Sequence, residues 1–453
     1  MNMINHKWWV LAAVGTGSFM AALDASVVNT ILPVIQNVFH SSVSAVEWVV
    51  TVYLLAVSGF LLTFGRLGDL YGHKALYIWG FGIFVGSSAL CGATHSVEAL
   101  IICRGIQAIG GAMLASNAPA ILTGNFPAEE RGRALGLASM MTYLGLTAGP
   151  SLGGWLAQAF SWRSVFYINV PVGILALALS LASIPKDEPN DFGQKFDLFG
   201  AALLLAGLVA LMLGLNQGAE WGWTSLPIIG LLLAAFFILT VFILIERHSP
   251  APVLDLNLFR VPLFSAAAVS AVLNYICVYT ITFLMPYYLI QGRGLNPAQA
   301  GLLLTAEPIV MAIAAPISGI FSDRIGSRWP GMAGMALMGV GLFLLASLNS
   351  NTSFLFAGSA LAVAGLGTGT FISPNTSALM GSAPKQRQGI ASGVQAAARS
   401  VGMVLGIGLA GAIFTTHLAQ NTPDALYRGI DMGFLAAGGI AVLGIVMSAI
   451  KER

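Results

Sequence analysis

The chain has 453 residues, 57% of them hydrophobic and only 8% charged, with a formal net charge of +2. A soluble domain carries about 25% charged residues, so a chain this poor in charge cannot clothe a water-facing surface and must use lipid as the solvent for most of its length. The near balance of charge offers nothing to nucleic acid, and the three cysteines, Cys91, Cys103 and Cys277, lie in apolar runs without ligand spacing, so no metal site is expected.

Apolar segments long enough to cross a bilayer, about 20 residues each, follow at 8–34, 46–64, 75–94, 98–122, 134–157, 163–184, 198–216, 227–245, 263–289, 300–321, 329–348, 354–380, 391–417 and 431–450. The first is too long for a cleaved signal peptide and is interrupted by Asp24. With the N-terminus inside, the inner segments carry 15 of the 20 Lys and Arg residues and the outer ones carry Arg163, Arg293 and Arg428, while Arg104 and Arg399 lie within spans. That bias places both termini in the cytoplasm and requires an even number of spans. The expected fold is therefore all-α, with 14 membrane helices in the inner (cytoplasmic) membrane.

In chain order, the first span holds Leu23-Asp24-Ala-Ser-Val-Val-Asn29-Thr-Ile-Leu-Pro33. Gly65-Arg-Leu-Gly-Asp69-Leu-Tyr-Gly72-His-Lys74 follows the second, and the short turn needs its glycines. The fourth span carries Arg104-Gly-Ile-Gln107-Ala-Ile-Gly-Gly111. In the fifth lies Gly145-Leu-Thr-Ala-Gly149-Pro150-Ser-Leu-Gly153-Gly154, where small residues allow close helix approach and the proline disturbs the helix. After the tenth, Gly319-Ile-Phe-Ser-Asp323-Arg324-Ile-Gly326-Ser-Arg328 repeats the first turn at an offset of 254 residues, and Pro127–Ala134 is echoed at Pro384–Ala391. Two six-helix halves alone would repeat after roughly 190–200 residues, so the excess suggests two helices inserted between parallel halves. The division expected is 1–185, 186–260 and 261–453, with the inserted pair in the middle segment.

The Gly65–Lys74 turn closely resembles the signature cytoplasmic loop of the major facilitator superfamily. The span-5 segment resembles the antiporter motif of its drug exporters, and the first and fourth spans look like the matching elements of the fourteen-span drug:proton antiporters, the EmrB/QacA type. The resemblance covers nearly the whole chain. It implies two bundles that rock about a midplane site, export in exchange for protons, and a conformational latch in which Asp69 pairs with a base opening a later helix, Arg131 or Arg133 being the candidates. Gly65, Gly72, Asp323 and Arg324 complete that latch.

Four charged groups lie well inside spans, Asp24, Arg104, Glu307 and Arg399, and each is costly enough there to be a functional candidate. At ~1.5 Å per residue, the first three share one layer in the outer half of the membrane, with Arg399 lower. Asp24 and Arg104 read as either a structural ion pair or a proton-exchanging acid tuned by its base. Glu307 has no base at its depth. An isolated carboxyl is costly when ionised and cheap when protonated, which makes Glu307 the first candidate for the exchanged proton and Asp24 the second. Mid-depth polar and aromatic groups suggest a substrate cavity lined by Asn29, Asn117, Tyr143, Asn274, Tyr275, Tyr279, Phe283, Asn375, Gln395 and Arg399, suited to lipophilic cations. No phosphate-binding loop or catalytic constellation is present. The expectation is a monomeric, non-enzymatic exporter of amphipathic, cationic small molecules that uses protons and no cofactor. The alternative is an exporter dedicated to one metabolite or lipid-like compound.

Overall fold

The computed structural model describes residues 3–41, 43–186, 196–222, 224–249, 252–418 and 424–450. Lys195, Lys451 and Arg453 of the charge census lie outside them. Among the described residues the chain is helical throughout: α1 (Met3–Phe39), α2 (Val43–Tyr71), α3 (His73–Ala93), α4 (Val97–Asn125), α5 (Arg131–Ala159), α6 (Asn169–Ser183), α7 (Leu198–Trp221), α8 (Leu226–Glu246), α9 (Pro262–Pro286), α10 (Pro297–Leu304 and Ala306–Ile325), α11 (Arg328–Leu345), α12 (Phe354–Ser382), α13 (Gln388–Leu418) and α14 (Ala425–Ser448). Thirteen stretches are long and apolar enough to cross a membrane, and α5 is not among them. Its 29 residues include six glycines, which lower its hydropathy and suit it to helix contact instead.

Local chemistry sets the breaks. Gly72 and Gly326, at equivalent places in the repeated turn, have φ of 97° and 83°, a region that other residues enter only with strain. Ser96 caps α4 by accepting from the Ala99 N–H, and Asn296 opens α10 with a capping box to Gln299. Pro308 has no N–H to offer the Leu304 carbonyl, and α10 is interrupted at Thr305 just before it.

Helices α1–α6 pack on one another, and so do α9–α14. The two groups meet along two seams, α2 against α13 and α5 against α10. The pair α7–α8 stands outside, with α7 lying along the first seam. There Leu204 and Leu208 join Leu62, Ile390 and Val394, and Met212 joins Leu55 and Val404. One face gathers the turns after α2, α4, α6, α8, α10 and α12. Lys7 binds Glu130 at 2.5 Å, Lys74 donates to the Leu181 (3.0 Å) and Ile184 carbonyls, and Arg387 pairs with Asp255 at 3.5 Å. The first turns of α1 and the last turn of α14, where Ser448 faces Gly331, lie on this same face.

Candidate functional site

The repeated turns form two symmetric latches across the seams. Asp69, at the end of α2, accepts from the backbone N–H groups of Gly389 (2.7 Å) and Ile390 (3.0 Å) at the start of α13. Asp323, at the end of α10, accepts from Gly132 (2.7 Å) and Arg133 (2.9 Å) at the start of α5. Each carboxylate thus sits on the unsatisfied N–H groups and positive dipole end of a helix in the opposite group. This corrects the expected Asp69 partnership with Arg131 or Arg133. Asp69 binds backbone across the other seam and meets His73 at 3.5 Å. Arg131 turns back to the Phe126 carbonyl, the Arg133 guanidinium lies over Trp8, and Arg324 is exposed. Glycine makes the approach possible: a Cβ on Gly132 would lie 2.5 Å from the Gly319 carbonyl oxygen, and Gly65 and Gly389 meet backbone to backbone in the same way.

The span-5 glycines serve contact within one group. A Cβ on Gly145 would lie 2.5 Å from the Phe19 carbonyl oxygen, and Gly149 and Gly153 face Ser26 and Val27 of α1, while Gly154 has open space around it. Pro150 deprives the Leu146 carbonyl of its helical donor, and the Ser26 hydroxyl supplies one at 2.9 Å. The proline disturbance is therefore absorbed by α1, and α5 runs unbroken through it.

Asp24 and Arg104 are paired and sealed. Arg104 Nη1 donates to Asp24 Oδ2 at 2.6 Å and to Gln107 Oε1 at 2.7 Å. The other oxygen, Asp24 Oδ1, accepts from Gln107 (3.1 Å) and Asn169 (2.8 Å), and Asn169 also reaches Ser88. The guanidinium lies 4.2 Å from the Tyr53 ring centroid. Asp24 is 0% and Arg104 1% exposed. A carboxylate with three donors and no solvent path has the attributes of a structural staple among α1, α4 and α6. Removing one partner strands the other charge, so Asp24→Ala is expected to cost about 3–5 kcal/mol of stability. Thermal unfolding of the purified variant in detergent checks this; an unchanged transition temperature would overturn it.

Glu307 does not join that pair. It opens the second piece of α10, is 7% exposed, and its Oε1 is buried without a hydrogen-bond partner. Gly365 brings α12 against its backbone. Across the α5–α10 seam, Tyr143 packs on Met311, Ala312 and Ala315 together with Tyr275. Met311 lies one helical turn beyond Glu307 on α10, so Tyr143 packs beside the turn that carries the acid. Arg399 is exposed although it is twelfth in the 31-residue α13, about 16 Å from its start. Its Nε lies 3.4 Å from Tyr279 Oη. The Gln395 Oε1 is buried without a hydrogen-bond partner. A guanidinium exposed at that depth belongs in a water-filled gap between the groups, since facing lipid would be far costlier.

Three of the sequence candidates for this gap lie elsewhere. Asn117 is buried against α2 and α3, donating to the Phe64 carbonyl and meeting His73 Nδ1 at 2.7 Å. Asn274 faces Met335 inside the second group, and Asn375 donates to the Ala267 carbonyl at 3.0 Å. Amide side chains in apolar helices need such internal partners. Mid-span depth alone could not separate them from cavity groups. Asn29 is exposed on α1, and Phe283 stacks near Tyr287, 5.3 Å between centroids. Sequence reasoning missed Asn169, which has no motif around it. Gly389 and Ile390 were legible only as part of the Pro384–Ala391 echo.

A family model described as Major Facilitator Superfamily matches residues 14–269 and 267–452. Over 430 residues the chain is 33% identical to the multidrug resistance protein Stp of Mycobacterium tuberculosis, covering 93% of this chain and 80% of that one. It is 32% identical over 455 residues to the riboflavin transporter RibZ of Clostridioides difficile, covering 99% and 98%. Among solved structures, a double-Trp mutant of XylE superposes with a TM-score of 0.72 at 14% identity, covering 99% and 97%, a likeness of fold.

Proposed function

Because this chain belongs to the Major Facilitator Superfamily, we propose that it exports amphipathic small molecules in exchange for protons by alternating access. The observation that carries the reading is Glu307: a nearly buried carboxyl with an unpartnered oxygen, beside the gap where the two groups meet. Asp69 and Asp323 hold one face shut, and their release opens it. The kinship with a multidrug resistance protein supports drug efflux, and the fourteen-span drug:proton antiporter branch is the placement we favour. In that reading α5 is the fourteenth span, α7–α8 are an insertion between residues 186 and 260, and the latched face with both termini is cytoplasmic. The chain then acts as a monomer in the inner membrane. The cationic preference rests on ionised Glu307 alone, because Asp24 is neutralised within its own cluster. The 32% identity to a riboflavin transporter favours the second reading, one dedicated metabolite.

Purified protein in liposomes, loaded with a panel of dyes and given a proton gradient, tests both. Uncoupler-sensitive movement of several unrelated dyes is expected. Movement of a single metabolite only would favour the second reading, and movement indifferent to the uncoupler would sink proton exchange.

A further inference from the structure

Three polar features of the gap are unspent by structure. Arg399 has no carboxylate within ion-pairing distance among the described residues, where the basic partners of acids are Lys7, His73, Arg104 and Arg387. Glu307 Oε1 and Gln395 Oε1 are buried acceptors without donors, on side chains belonging to residues only 7% and 8% exposed. Acid and base are not paired with each other. Tyr143 packs with Met311, one turn beyond Glu307, and with Tyr275, while Arg399 Nε lies 3.4 Å from the hydroxyl of Tyr279, one turn beyond Tyr275.

We propose that this gap is a binding site for zwitterionic planar aromatic molecules, whose acidic end docks on Arg399, whose cationic end docks on Glu307, and whose ring lies among Tyr143, Tyr275 and Tyr279. The proposal rests on the proton-exchange reading above and names its substrate class. Guanidinium matches a carboxylate or phenolate through paired donors. The phenols offer ring faces for offset or edge-on stacking. A cation without an acidic end meets Arg399 as a like charge, and an anion without a basic end meets Glu307 as one. The same geometry supports exchange. The ligand's cationic group and a proton compete for one carboxylate, so the protonated site releases the ligand. Only the Glu307 O–H bond is made and broken; no other covalent change is needed.

Three dyes on one xanthene frame separate the terms: the unalkylated rhodamine free acid (zwitterion), its methyl ester (cation) and fluorescein (anion). Binding to the purified protein is read by fluorescence anisotropy. The free acid is expected to bind at least about tenfold tighter than either relative, about 1.4 kcal/mol. Arg399→Gln should erase its advantage over the ester, with Arg399→Lys retaining part. Glu307→Gln should erase its advantage over fluorescein. Equal binding of acid and ester by the wild type, an equal loss of both in Arg399→Gln, or no binding of any dye would overturn the proposal. Tight binding of the free acid without proton-driven flux in liposomes would leave the site standing and sink the exchange reading instead.

Discussion

Glu307→Gln is expected to reduce proton-driven efflux to background while the protein still folds and still exchanges substrate down its own gradient. Glutamine keeps the shape and the polar tip but can neither release nor take up a proton. The structural reason lies in the surroundings. An ionised carboxylate with a buried, unpartnered oxygen costs several kcal/mol more than the protonated form in the same place. Ionisation therefore needs either water, admitted when one face opens, or a cationic ligand. Those are the two conditions an exchanger must distinguish. The measurement is dye flux in proteoliposomes at a fixed proton gradient, beside counterflow without one. Efflux by Glu307→Gln at the wild-type rate would remove the residue from coupling. Glu307→Asp, which keeps the acid and withdraws it by one methylene, should retain partial activity.

The second large effect concerns the latched face. At Gly389 an added Cβ would overlap the Gly65 carbonyl oxygen, and at Gly319 it would overlap that of Gly132. Neither clash is with a flexible side chain, so Gly389→Val must push α13 away from α2. We expect this variant to lose at least about nine-tenths of its transport and to expose the buried seam, where the Ser58 and Ser400 hydroxyls meet at 2.9 Å. Cysteines placed at those two positions should then label readily with a water-soluble maleimide. Asp69→Asn acts more gently. It weakens charge-assisted bonds to the Gly389 and Ile390 N–H groups, each worth about 1.5–3 kcal/mol, a shift of roughly tenfold or more towards the open state. Asp323→Asn should do the same on the other seam. If both aspartate variants left labelling and transport unchanged, the turns would be structural rather than gating. That test stands even where Gly389→Val fails to fold.

The geometry of the turns also explains their glycines. Gly72 and Gly326 are required by backbone conformation, whereas Gly65, Gly132, Gly319 and Gly389 are required by a neighbour's backbone. Substitution at the first pair strains one turn. Substitution at the second separates two helices.

Much of this was legible in the residues themselves. Low charge and the spacing of apolar runs determined an all-helical membrane chain, and the 254-residue echo determined that it is built twice. The buried charges could be singled out by cost alone, because lipid tolerates so few of them. Partnership was a different matter. Asp69 was assigned a basic side chain, yet its donors are the backbone of residues 389 and 390, which no charge pattern reveals. Asp24 and Glu307 share a depth along their helices, and the base at the depth of Asp24 left two roles open for it, staple or proton exchanger. Packing shows that Gln107 and Asn169 join Arg104 on Asp24 and close it off, while an oxygen of Glu307 meets nothing. Asn117, Asn274 and Asn375 failed for the same reason. Sequence periodicity sets height in the membrane, because rise per residue is constant, but the direction a side chain faces depends on which helices lie beside it. Those neighbours are chosen by glycine contacts between distant segments, and they exist only once the chain has folded.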